Sequence, residues 1–131
     1  MENYDLEIKR IKRNNYIVFG IFAALVLAVI VVGIVYQYQH SFSTAKWERN
    51  PEERTKIVDD LLEDHEIVGM QKADVVELLG NDNNDYGYFN NEENRFVYYL
   101  GAERGLISID SEWLILDFAN EIVVDCYITT D

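Results

Sequence analysis

The chain has 131 residues and one cysteine, and its 24 acidic residues outnumber 11 basic ones for a formal net charge of −13 at pH 7. A lone cysteine excludes an internal disulfide, and the surplus of carboxylates makes nucleic acid a poor partner, because like charges repel. Once a membrane segment is set aside, the length leaves room for one small domain.

Residues 1–15 form a short tail that holds Lys9, Arg10, Lys12 and Arg13. Ile17 to Val35 then runs without a single charge, between Tyr16 and Tyr36. At the helical rise that run is about 28 Å long, close to the hydrocarbon thickness of a bilayer, so residues 16–36 are expected to form a transmembrane helix held in lipid through Ile17–Val35. The four basic residues crowd one flank, and Tyr36 to Ala45 has none. The positive-inside bias therefore keeps the N-terminus in the cytoplasm and exports everything after Tyr36, as in a single-pass protein of the cytoplasmic membrane. A cleaved signal peptide is the alternative. It is disfavoured because the apolar run exceeds the usual h-region of about 7–15 residues, and the small-x-small pattern Ser43-Thr44-Ala45 lies well beyond its end. The only cysteine, Cys126, lies far beyond the run, so none is placed to be lipidated, which excludes a lipoprotein. Gly20, Ala24 and Ala28 recur every fourth residue, a stripe of small side chains that would let two spans approach closely and form a homodimer.

Residues 37–46 read as a polar tether and 47–131 as the exported domain. Seven of the 11 basic and 21 of the 24 acidic residues follow the span, which gives the exported part a net charge near −14. Such a surface suits a basic partner. Asn50-Pro51-Glu52-Glu53 combines a capping residue, a proline and first-turn acids, so a helix is expected from there, with Ile57, Val58, Leu61 and Leu62 as its apolar stripe. A second helix is expected from Gln71 to Leu79, with Gly69 at the turn before it and Gly80 as its C-cap. Asn81 to Asn94 reads as a loop. Strands are expected at Phe96–Leu100, Trp113–Phe118 and Ile122–Ile128, with a turn at Gly101–Gly105 and a hairpin through Ala119-Asn120-Glu121. The fold class is α+β: two helices packed on one face of a three- to four-stranded antiparallel sheet, behind the transmembrane helix. Leu61, Val75, Leu79, Leu116 and Val124 are read as one core, with Cys126 a small apolar residue in step with Val124 and Ile128.

Gly69-Met70-Gln71-Lys72-Ala73-Asp74-Val75-Val76-Glu77-Leu78-Leu79-Gly80 resembles the glycine-bracketed helix signature of the BamE (SmpA/OmlA) and BLIP-like superfamily. Tyr98-Tyr99-Leu100-Gly101 and Trp113 to Val123 are similar to its strands. The chain departs from the pattern in having Gln71 where the family has a Thr or Ser cap, in lacking the proline after the Leu-Gly, and in lacking the lipidated cysteine of the outer-membrane members. The resemblance covers about residues 47–131 and implies an extracytoplasmic scaffold or inhibitor-type domain that binds protein.

Enzymatic chemistry finds little support in the residue pattern. The two histidines, His40 in the tether and His65 at a helix end among acids, read as solvated residues rather than catalytic bases, and neither a phosphate-binding glycine loop nor a Cys/His zinc cluster is present. The reading is a non-enzymatic interaction module without a cofactor. The alternative is a calcium-responsive surface domain using the Asn81–Glu93 loop, where Asp82, Asn84, Asn90 and Glu93 fall at calcium-loop spacing. Strand parity suggests the binding surface. If Leu114, Leu116 and Phe118 face the helices, Trp113 and Ile115 face away, and one of Tyr98 and Tyr99 joins them. With no helix left to cover that side, Trp113, Ile115 and a tyrosine are expected as an exposed protein-binding patch; the alternative is that Trp113 folds over an edge or packs on the Asn81–Asn94 loop.

Overall fold

The computed structural model describes residues 2–81 and 94–131, in two compact units, one ending at Tyr38 and the other running from Gln39 to Asp131. The first is a single helix, α1 (Glu2–His40). It is long and apolar enough to cross a membrane, with a mean hydropathy of 3.2 in its most apolar stretch, none of which is buried by protein.

The second unit is an α+β domain. Helices α2 (Thr44–Arg49), α3 (Val58–Asp64) and α4 (Lys72–Leu79) precede an antiparallel sheet of β1 (Arg95–Ala102), β2 (Ser111–Ala119) and β3 (Ile122–Thr130), in spatial order β1-β2-β3. The stretch expected to be a featureless tether is ordered. Ser43 caps α2, its Oγ accepting from the Lys46 N–H at 3.3 Å, and the Phe42 N–H donates to Asp60 Oδ2 at 2.6 Å. The reason is Trp47, which is fully buried and makes an edge-to-face contact with Tyr98.

The helix expected from Pro51 begins later, at Val58, after a turn at Pro51–Glu52 and a 3₁₀ turn at Arg54–Lys56. Local capping signals lose here to a tertiary pairing, because Glu53 forms an antiparallel bridge to Gly101. Gly101 has φ +124°, and a Cβ there would collide with the Glu52 carbonyl, so only glycine allows the approach. It belongs to β1 rather than to a turn, and the β1–β2 connection spans residues 103–110.

Helix α4 lies where the glycines place it, with Gly80 at its C-cap (φ +78°). Gln71 makes no side-chain cap, and the first helical N–H, that of Lys72, is satisfied by the Glu121 carbonyl at 2.8 Å. Gly69 and Met70 zip onto β3 through Gly69 N–H to Val123 O (2.8 Å) and Val123 N–H to Met70 O (3.0 Å). The β2–β3 hairpin turns on Asn120 and Glu121, both at positive φ (50° and 63°), the backbone of a two-residue turn matched to strand twist.

One core fills the space between the helices and the sheet. Trp47, Val58, Leu61, Val75 and Leu79 meet Tyr98, Leu100, Leu114, Leu116, Phe118 and Val123, all at most 5% exposed. One expected member is wrong: Val124 is 54% exposed and Val123 is buried in its place. The register shifts between Asp117 and Phe118, where β3 carries an extra residue. Such a bulge advances the alternation by one, after which Cys126 and Ile128 return to the core side.

Candidate functional site

Strand parity places Tyr98 and Tyr99 on opposite faces. Tyr98 is buried among the helices, its hydroxyl donating to the Gly80 carbonyl at 2.9 Å, while Tyr99 lies opposite Trp113 with the rings 5.2 Å apart, edge to face. The expected exposed patch is not there. Trp113 is 4% exposed and Ile115 is fully buried; with Val97 they form a second small core against which Tyr99 packs. Parity fixes which way a strand residue points and carries no information about what covers that side, so the step from orientation to exposure fails. Of the four, Tyr99 alone is incompletely buried, and it lines a surface cleft with Arg49, Asn50, Pro51, Glu52 and Glu53.

The calcium-loop candidates Asp82, Asn84, Asn90 and Glu93 lie outside the described residues. Among the described residues, no three His, Cys, Asp or Glu side chains gather as a metal site would require. Lys9, Arg10, Lys12 and Arg13 lie exposed in α1, as do Gly20, Ala24 and Ala28.

Several groups that could carry chemistry hold the fold instead. His65 caps the end of α3, its Nδ1 3.3 Å from the Leu61 carbonyl, and its ring packs edge-on against Phe42. Arg95 pairs with Asp117 across β1 and β2 at 2.6 Å. Arg54 stacks over the Trp47 ring at 4.5 Å while donating to the Trp47 and Tyr99 carbonyls. Cys126 is half-buried, and desolvation together with the charge of Asp125 pushes its thiol up to about 11.

The β1–β2 connection holds features that the pattern of turn residues conceals. Glu112, 5% exposed, is a charged residue in the domain interior. Its carboxylate accepts from the Arg104 backbone N–H at 2.7 Å and from Arg104 Nε at 3.0 and 3.2 Å, and Arg104 Nη1 reaches Asp59 Oδ2 on α3 at 2.6 Å. The bond to Glu112 raises the guanidinium pKa further above its ordinary value. Beyond this clamp, Leu106, Ile107 and Ile109 project into solvent. The only sequence signal was three large apolar residues within a stretch otherwise made for a turn.

Comparison with protein-family models, curated proteins and solved structures finds no match. The function is accordingly read from the geometry of this chain.

Proposed function

We propose that the chain is a single-pass membrane protein that holds a small acidic α+β domain outside the cytoplasm, where the domain binds protein rather than catalysing a reaction. The observation that carries this reading is the contrast within one polypeptide: an apolar helix of spanning length with no protein around it, joined to a domain that closes its own core. The basic cluster Lys9, Arg10, Lys12 and Arg13 on one flank supports this orientation. The order of two longer helices followed by three antiparallel strands supports the resemblance to BamE and BLIP-like domains, whose implied role is protein binding. Within this reading, the binding place is the cleft of Tyr99, Pro51 and the charged Arg49, Glu52 and Glu53, which offers an aromatic anchor inside a mixed polar rim.

The test is site-specific photocrosslinking with the full chain in its own membrane. A photoreactive residue at Glu52 should give one discrete adduct with another protein, and the same residue at Asn120, on the distant hairpin, should not. Equal labelling from both positions, or none from either, contradicts the assignment.

A further inference from the structure

Leu106, Ile107 and Ile109 are 106, 75 and 81% exposed, and no charged residue lies between Gly105 and Ile109. The loop that presents them is nevertheless fastened at its base. The Glu103 N–H donates to the Asp110 carbonyl at 2.9 Å, Ser108 Oγ donates to the Glu103 carbonyl at 2.7 Å, and Arg104 is held by Glu112 and Asp59. Three apolar side chains on a closed loop are a surface that water disfavours.

The root of this loop is tied to the place where the chain arrives from α1. Arg104 binds Asp59, and the next residue of α3, Asp60, accepts from the Phe42 N–H. Asp59 and Asp60 are neighbours on one helix, so the Arg104 guanidinium and the Phe42 backbone lie within roughly 15 Å of each other. Between Tyr36, the end of the apolar run, and Phe42 lie five residues, a contour of at most about 20 Å. The short connection therefore bounds how far the root of the loop can lie from a bilayer that α1 would cross.

We propose that Leu106, Ile107 and Ile109 insert into the interfacial layer of the membrane that α1 crosses, giving the domain a second lipid contact. The proposal rests on the reading of α1 as a span. Three side chains would bind a bilayer only weakly from free solution, but a short covalent tether makes the contact intramolecular at a high effective concentration. The net charge of the exported part, near −14, opposes anionic headgroups, so the contact favours zwitterionic lipid.

The experiment uses the full chain with Cys126→Ser, reconstituted in phosphatidylcholine vesicles. An environment-sensitive fluorophore is placed in turn at Ile107→Cys in the loop, Ile30→Cys in α1 and Asn120→Cys on the hairpin at the other end of β2. The Ile107 probe should be quenched by doxyl-labelled lipid and spared by aqueous iodide, the Asn120 probe should show the reverse, and the lipid quenching at Ile107 should weaken as phosphatidylglycerol is added. Iodide quenching at Ile107 equal to that at Asn120 overturns the proposal. A blue-shifted Ile107 probe that doxyl lipid does not quench also overturns it, because that result reports burial against protein. Quenching of the Ile30 probe by lipid while the Ile107 probe stays in water defeats the loop contact alone; failure at Ile30 defeats the span and the proposal together.

Discussion

Helix α1 and the domain that follows it are built from the same valines, isoleucines and leucines and use them in opposite ways. From Ile17 to Val35 the large apolar side chains are 43–71% exposed, whereas those of the domain core are at most 5% exposed. The difference is one of pattern rather than amount. In α1 the apolar residues run all round the helix, leaving no polar face for water, and such a helix requires either a protein interior or lipid around it. In the domain, apolar residues recur with the periods of helix and strand, so they gather on the inward faces of the helices and on both faces of β2, where they bury one another. Among the described residues of the domain, Leu106, Ile107 and Ile109 are the large apolar side chains most exposed to water, as those of α1 are.

Truncating side chains in the two regions tests this difference most strongly. Leu79→Ala should destabilise the domain by about 2–5 kcal/mol, because Leu79 is 2% exposed between α4 and the sheet. Leu25→Ala in α1 should change the same unfolding transition by less than about 0.5 kcal/mol. Denaturant unfolding of the full chain in detergent, followed by tryptophan fluorescence, measures both, since Trp47 and Trp113 lie in the domain. Equal losses would mean that α1 shares the core of the domain.

A finer comparison uses two adjacent valines. Val123→Ala should cost about 1–2 kcal/mol, the loss of two buried methyl groups, and Val124→Ala should fall within about 0.5 kcal/mol of wild type. The reverse order would remove the bulge at Asp117 and Phe118 and restore simple alternation.

A chemical probe of the same boundary between core and surface is Cys126. With its thiol raised from 9.0 to about 11, the folded chain holds far less thiolate at pH 8 than the unfolded chain, by about 100-fold, although the greater basicity restores some nucleophilicity. Alkylation by iodoacetamide should therefore be roughly tenfold slower in the folded protein than in urea. The folded state also keeps this proton at higher pH than the unfolded state does, so stability should fall as pH rises from about 9 towards 11. Equal alkylation rates would show that Cys126 is open to solvent.

The features legible in the sequence were those fixed by local chemistry. The uniform apolar run announced α1, Gly69 and Gly80 bracketed α4, and the alternation of Leu114, Leu116 and Phe118 gave the helix-facing side of β2. Features decided by contacts between distant segments were not legible. Phe42 reads as tether because its partner, Asp60, comes later in the chain, and the contact of Trp47 with Tyr98 is equally remote in sequence. The start of α3 moved from Pro51 to Val58 because Glu53 pairs with Gly101. The burial of Trp113 and Ile115 is not legible because covering a sheet face is a tertiary event. At Gln71 the missing side-chain cap is offset by a carbonyl from the hairpin, and no pattern within α4 could reveal it.

The most direct test of the proposed anchoring and export is protease accessibility in intact cells or spheroplasts, with one epitope at each end of the chain. Added protease should destroy the C-terminal epitope and leave the N-terminal one on a membrane-bound fragment that includes α1. A protected C-terminal epitope would contradict the orientation, and a soluble product beginning near Lys46 would show that the apolar segment is cleaved rather than retained.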